Sequence, residues 1–186
     1  MQFAALPVSD HPAYALRPIE ADDLPHWLAY LDLPEVYRHT SWNHPTLEDL
    51  EPYAWSPAMR TPANLLRLAI VPRDTNQLVG TIGFHTVVPV HRSAELAYDL
   101  APSFWGRGIA AHMCRLMVAW AHAQANVLRV QATVLESNQA SIRVLERSGF
   151  EREGMLRCYR LVRGSPGNFY MYSHVLLDAG PPTPDP

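Results

Sequence analysis

Residues 104–111 read Phe104, Trp105, Gly106, Arg107, Gly108, Ile109, Ala110 and Ala111, and set two glycines where a strand-like segment gives way to a helix. Glycine takes left-handed backbone without steric cost, so the chain can turn sharply and pass close to a ligand. The first turn of the following helix offers N–H groups with no intrahelical partner, at the positive end of its dipole. Such a join suits a pyrophosphate. A chain built around it must place a strand end beside a helix N-terminus, so a mixed α and β fold with a nucleotide-like ligand is expected.

Gly106, Gly108 and Ala111 also satisfy the Gly-x-Gly-x-x-Gly/Ala fingerprint of dinucleotide-binding folds, which leaves a nicotinamide-dependent oxidoreductase as a remote alternative. Context opposes it. In that fold the first glycine follows directly from a buried strand early in a long βαβαβ array. Here residues 101–105 separate the glycines from the candidate strand at 94–100, and too little chain follows Ala111 for the remaining strands. Glu136, the nearest matching acid, comes later than the offset of roughly 20 residues that the fingerprint expects. No Gly-Lys-Ser/Thr follows the loop, so a Walker phosphate loop is excluded. A plain strand-to-helix turn stays open as the bland reading.

Hydrophobic periodicity gives one α+β domain. Residues 13–19 read as a first strand, and Asp22 and Asp23 as caps of a helix to about Leu31, with Leu24, Trp27, Leu28 and Leu31 at helical spacing. Thr46 to Asp49 is a capping-box-like start of a second helical stretch, which Pro57 and Pro62 would terminate. Residues 65–71 and 77–88 read as a hairpin, followed by the strand at 94–100 and a helix from the loop to about Ala125. That helix carries Ile109, Met113, Leu116, Met117 and Trp120 on one core-facing side. A buried strand at 127–134, a short helix at 138–148 ended by Gly149, and strands at 153–162 and 169–177 complete the order.

The expected organisation is a single domain over 1–178 and a glycine- and proline-rich disordered tail over 179–186. Two cysteines, Cys114 and Cys158, give no disulfide scaffold. With no leader-like or long apolar span, the reading is a cytoplasmic protein without membrane or metal. A net charge of −3 gives no electrostatic case for nucleic acid, though it does not oppose a cationic substrate.

From Trp105 the loop resembles the Gln/Arg-x-x-Gly-x-Gly/Ala signature of the GNAT superfamily of N-acetyltransferases, with Gly108 and Ala110 in the small positions and Trp105 departing from Gln/Arg. The run from Glu95 to Ala110 looks like the ribosomal-protein (RimJ/RimL-like) branch, where an aromatic residue is common at that place. Downstream, Asn138 and Ser141 resemble the family's Asn-x-x-Ser helix, and Gly149-Phe150 with Glu153-Gly154 its closing turn. The opening Leu16-Arg17-Pro18 and late Tyr172-Ser173 agree, so the resemblance covers nearly the whole chain.

The resemblance implies an acyl-CoA N-acyltransferase fold: a mixed central sheet of about seven strands splayed around a cleft, with helices on both faces. It also implies acetyl transfer from acetyl-CoA to a primary amine, on a protein N-terminus or a small molecule, by direct attack in a ternary complex. Glu95 would be the base. On its strand, alternation sends Glu95, Ala97 and Asp99 to one face and Leu96, Tyr98 and Leu100 to the other. A carboxylate that only pairs with an arginine is the competing reading for Glu95.

CoA contacts are expected from Leu100, Trp105, Gly106, Arg107, Gly108, Ile109, Ala110 and Ala111 at the loop, and from Asn138 and Ser141. Asn138 equally suits an N-cap, Ser141 a proton donor to sulfur, and Asp99 a brace for the loop. His39, His44, His85 and His91 are candidates for an acceptor pocket, and their spacing matches no zinc signature. Cys158 is open as an acetylated intermediate on a ping-pong route.

Where related enzymes carry an acid before the last strand, this chain has Asn168, with Arg157, Arg160 and Arg163 nearby. That departure motivates a second reading, a catalytically weak CoA-binding or sensor protein on the same fold. A monomer or a homodimer is expected, the dimer through an exposed strand edge near residues 169–177.

Overall fold

A computed structural model describes residues 6–40, 44–54 and 66–176. Its frame is one sheet of seven strands: β1 (Tyr14–Pro18), β2 (Leu66–Pro72), β3 (Gly80–Val88), β4 (Ser93–Leu100), β5 (Arg129–Leu135), β6 (Glu151–Val162) and β7 (Ser165–Val175), in the order β1-β2-β3-β4-β5-β7-β6. Every neighbouring pair is antiparallel except β4 and β5, which run parallel. This mostly antiparallel sheet overturns the dinucleotide-binding alternative, which needs a parallel array.

Two layers of helix cover the sheet. On one face α4 (Ile109–Gln124) and α5 (Gln139–Arg147) close the main core, where Ile109, Met113 and Met117 meet Leu68, Ile82, Phe84 and Leu96. On the other, α1 (Leu24–Leu31), α2 (Pro34–Tyr37) and α3 (Leu47–Leu50) join a second core of Ile19, Trp27, Leu31, Leu50, Ala69 and Val71. Alternate residues of β2 enter opposite cores, as the pleat requires of a strand buried on both sides. β2 and β3 approach closely at Gly83, where a Cβ would lie 1.8 Å from the Leu66 carbonyl oxygen.

Several sequence expectations need correction. Asp23 does not cap α1 through its side chain. Its carboxylate accepts from the Glu20 N–H and forms a two-bond pair with Arg17, at 2.6 and 2.8 Å, which ties the end of β1 to the chain entering α1. Thr46 does form a capping box with Asp49, but the helix it opens is one turn long and runs on only as a 3-10 turn to Tyr53. Pro57 and Pro62 lie outside the described residues, as does the tail over 179–186.

The last strand is not the sheet's edge. β7 sits between β5 and β6, paired antiparallel with both, so the edge on that side belongs to β6. No helix among the described residues is long and apolar enough to cross a membrane.

Candidate active site

The parallel pairing of β4 with β5 lasts three residues, Ser93 to Glu95 against Arg129 to Gln131. β4 then runs on to Leu100 and β5 to Leu135 without a shared ladder. A wedge opens in the middle of the sheet, with β4 backbone groups beyond Glu95 released from strand pairing on that side.

The glycine loop closes one end of this wedge. Gly106 and Gly108 have φ of 74° and 76°, and a Cβ at either would meet nothing within 4 Å, so the loop needs glycine for its backbone angle and not for space. Gly108 is the N-cap of α4 and supplies no side-chain cap. The first-turn N–H groups of Ile109, Ala110 and Ala111 therefore stay available for an anion, which is the observation that makes the loop fit a pyrophosphate.

Trp105 is 45 % exposed and its indole N–H donates to the Leu100 carbonyl at 2.6 Å, pinning the loop to the strand it leaves. Arg107 donates to the Ser103 carbonyl and lies over the Phe104 ring.

Across the wedge, Asn138 is the N-cap of α5, its amide oxygen accepting from the Ser141 N–H at 3.0 Å while its NH2 donates to the His39 carbonyl at 3.3 Å. The cap reading of Asn138 therefore holds, and its NH2 group joins α5 to the segment after α2. Ser141 Oγ lies 2.7 Å from the Tyr98 hydroxyl, so a β4 side chain and an α5 side chain meet over the gap. Burial pushes the Tyr98 phenol well above its ordinary pKa, so it stays protonated at neutral pH and can donate. Sequence reasoning had assigned Tyr98 only a strand face.

Glu95 marks the apex of the wedge and is 8 % exposed. Its Oε1 gathers Thr133 Oγ1 at 2.9 Å, Arg160 Nη2 at 3.3 Å and His85 Nε2 at 3.3 Å, from β5, β6 and β3 respectively. Burial raises the carboxyl pKa, but the His85 bond and charge, the Thr133 bond and Arg160 outweigh it and leave the carboxyl below its ordinary value. The group is a carboxylate at neutral pH.

His85 is there because β3 carries a bulge. The register passes from Phe84 opposite Leu96 to Thr86 opposite Glu95, leaving His85 as the extra residue, and bulges re-aim side chains.

The other histidines separate. His39 contributes its carbonyl to Asn138, while its Nδ1 is buried without a hydrogen-bond partner. Burial, then the charges of Arg38 and Arg163, hold the His39 imidazole pKa down. His44 lies 3.3 Å from Asp32, and His91 is exposed in the turn between β3 and β4, so neither is brought to Glu95.

Asp99 does not brace the glycine loop. It lies on the face of α1 and accepts from the Tyr30 hydroxyl, from Arg67 Nη2 at 2.5 Å and from Thr81 Oγ1 at 2.7 Å. Asn168 Oδ1 accepts from the Cys158 N–H across the β6–β7 hairpin, and its NH2 donates to Glu136 just past the end of β5. Cys158 is exposed at a left-handed position, with φ of 52°. No group of three or more His, Cys, Asp or Glu among the described residues is arranged to hold a metal ion.

A sheet split between two parallel strands, with a glycine loop and helix N-terminus at the end of the split, defines an acyl-CoA N-acyltransferase type of cleft. The family description "Acetyltransferase (GNAT) domain" matches residues 14–151, and the chain belongs to that family.

An uncharacterized N-acetyltransferase, YoaA of Bacillus subtilis, is 38 % identical over 110 residues, a match covering 59 % of this chain and 62 % of that protein. The matched region thus spans about three fifths of that relative's length. Among solved structures, RimL, a ribosomal L7/L12 alpha-N-protein acetyltransferase in complex with coenzyme A, superposes with a TM-score of 0.79 at 18 % identity, covering 91 % of this chain and 97 % of that one. Spermidine N-acetyltransferase from Vibrio cholerae, in complex with CoA and spermine, gives 0.77 at 18 % identity, with 89 % and 96 % covered. These two likenesses bear on the fold, which is the GNAT fold.

Proposed function

We propose that this protein is an acetyl-CoA-dependent N-acetyltransferase acting on a primary amine, carried by a protein N-terminus or a small molecule, by direct attack in a ternary complex. The observation that carries this reading is the wedge: β4 and β5 part at Glu95, and the opened strand leads to Gly106, Gly108 and the uncapped start of α4. Backbone N–H groups over residues 106–111 would hold the phosphates, with Leu100 and Trp105 lining the loop. Arg107 adds a positive charge beside it. Asn138 and Ser141 would flank the pantetheine arm. The cosubstrate supplies an activated acetyl thioester.

The chain supplies the rest. The Glu95 carboxylate favours a cationic amine on the α1 face of the wedge, and its cluster receives the proton that the amine sheds. Ser141, sharing a hydrogen bond with the protonated Tyr98, is the proton source on the sulfur side. Because a thiol of ordinary pKa near ~8.5 leaves tolerably as thiolate, this donor contributes less than the base does. Asn168 is engaged with Cys158 and Glu136, and the catalytically weak CoA-binding or sensor protein stays as the second reading. The cytoplasm is its proposed place of work.

Calorimetric titration with CoA, acetyl-CoA and NADH tests the reading. Saturable binding of CoA and acetyl-CoA alone supports it and justifies a screen of peptide N-termini and polyamines. Binding of NADH alone, or of none of the three, overturns it. Tight CoA binding with no acetylation across a broad amine panel would favour the sensor.

A further inference from the structure

Glu95 is a poorly placed general base. Its Oε1 already accepts from a hydroxyl and a guanidinium besides the imidazole, and each of these stabilises the charged form. General-base efficiency rises when the base's pKa is near the working pH, and a carboxylate stabilised this way moves in the wrong direction. The imidazole beside it has the chemistry that Glu95 lacks, because histidine is the side chain whose ordinary titration falls near neutrality.

We propose that His85 is the catalytic proton acceptor of the transfer and that Glu95 acts through it as a positioning residue, holding His85 Nε2–H toward Oε1 and so leaving Nδ1 as the basic nitrogen. This rests on the acetyltransferase reading above and assigns its proton-transfer step.

Three observations carry it. The β3 bulge places His85 as the unmatched residue opposite Glu95, so its side chain joins Glu95 and Thr86 on the α1 face, the face on which the amine would arrive. The carboxylate at Nε2 selects the Nε2–H tautomer, as a carboxylate does for a general-base histidine. Nδ1 then accepts from Thr86 Oγ1 at 3.1 Å, a single neutral hydroxyl on an exposed residue, which an arriving amine displaces more readily than the guanidinium and buried hydroxyl held by Glu95. The His85 side chain is 29 % exposed against 10 % for Glu95.

The charged groups among the described residues that bond the pair are Glu95 itself, on β4, and Arg160, on β6; the uncharged Thr86 and Thr133 bond it as well. In the step, the amine nitrogen forms the bond to the acetyl carbon. The carbon–sulfur bond breaks with its electron pair on sulfur, and the proton lost by nitrogen passes to His85 Nδ1 and on to solvent. Sulfur takes up one proton, so the step is balanced.

Two measurements test this. The first needs no acceptor: nitrogen-15 spectra of the imidazoles in the intact protein, with His85 assigned by the loss of its signals in His85→Gln. Nε2 protonated and Nδ1 bare is expected, and Glu95→Gln should weaken that preference. A His85 ring protonated at Nδ1 with a bare Nε2 overturns the proposal.

The second is kcat/KM against pH for the best amine of the screen. Wild type should show a rising limb in the imidazole range, separate from the limb set by the amine itself. His85→Gln should lose that limb and about 10²-fold or more in rate. His85→Ala should be partly rescued by added imidazole, and Glu95→Gln should keep the limb but shift it to lower pH, since the imidazolium loses its counter-charge. If His85→Gln retains the limb while Glu95→Gln abolishes it, Glu95 is the base and the proposal fails. Absence of CoA binding would instead overturn the acetyltransferase reading, whatever tautomer the spectra show.

Discussion

Replacing Asp99 by alanine probes the polar network that fastens α1 to the sheet. Arg67 and Asp99 side chains are only 8 % and 11 % exposed, and their nitrogen and oxygen lie 2.5 Å apart. Arg67 Nε also donates to Thr81 Oγ1 at 2.8 Å, Thr81 donates to Asp99 at 2.7 Å, and Tyr30 of α1 donates to the other carboxylate oxygen. Burial, then the Asp99 charge, pushes the Tyr30 phenol well above its ordinary pKa, so it acts only as a donor in any physiological range.

Deleting the carboxylate leaves a buried guanidinium without its counter-charge, and breaking such a pair costs about 3–5 kcal/mol. For a chain of 186 residues that is a fall in Tm of about 6–20 °C. Tyr30→Phe removes one hydrogen bond to a charged group and should cost about 1.5–3 kcal/mol. The double variant Arg67→Met with Asp99→Ala removes both charges and should be more stable than Asp99→Ala alone. Thermal and urea unfolding followed by circular dichroism measure all of these. A Tm loss under about 3 °C for Asp99→Ala, or strict additivity in the cycle, would refute the account of a buried, coupled pair.

Gly108→Ala keeps open space around its new methyl but forces an L-residue to φ of 76°, a strain of about 1–2 kcal/mol, and CoA affinity by calorimetry should drop with it. Asn138→Ala removes the α5 cap and should cost about 0.5–2 kcal/mol in urea unfolding. Cys114 is buried, and burial pushes its thiol far up, while Cys158 is exposed; a thiol reagent should therefore modify one cysteine in the native protein and two after unfolding. The Glu153 carboxyl is lowered to about 2 from 4.5, first by its bonds with Arg129 and then by Ser173. A depressed carboxyl contributes stability above its unfolded pKa and loses it as pH falls through the folded one. Acid unfolding of Glu153→Gln should accordingly be less steep between those two values than that of wild type.

What could be read without coordinates was local. Gly106 and Gly108 announce their left-handed turn, and the spacing of Ile109, Met113 and Met117 announces a helix face, because both depend on neighbours within a few residues. Asn138 followed by Ser141 gave the α5 cap for the same reason. Alternation along residues 94–100 put Glu95 and Asp99 on one face correctly. It could not say that α1 covers Asp99, since Tyr30 and Arg67 arrive from elements far away in sequence.

The chain itself determined the element types, the phosphate-like loop and the family resemblance, through periodicity and short-range backbone chemistry. Tertiary structure alone decided three things. β7 threads between β5 and β6, pairing antiparallel with one strand far away in sequence and one adjacent to it, a placement that no local pattern in residues 165–175 encodes. The wedge exists because β4 and β5 stop pairing after three residues, which is a relation between two distant strands. His85 reaches Glu95 because the β3 ladder gains one residue against β4, and a register offset has no signature in either strand read by itself.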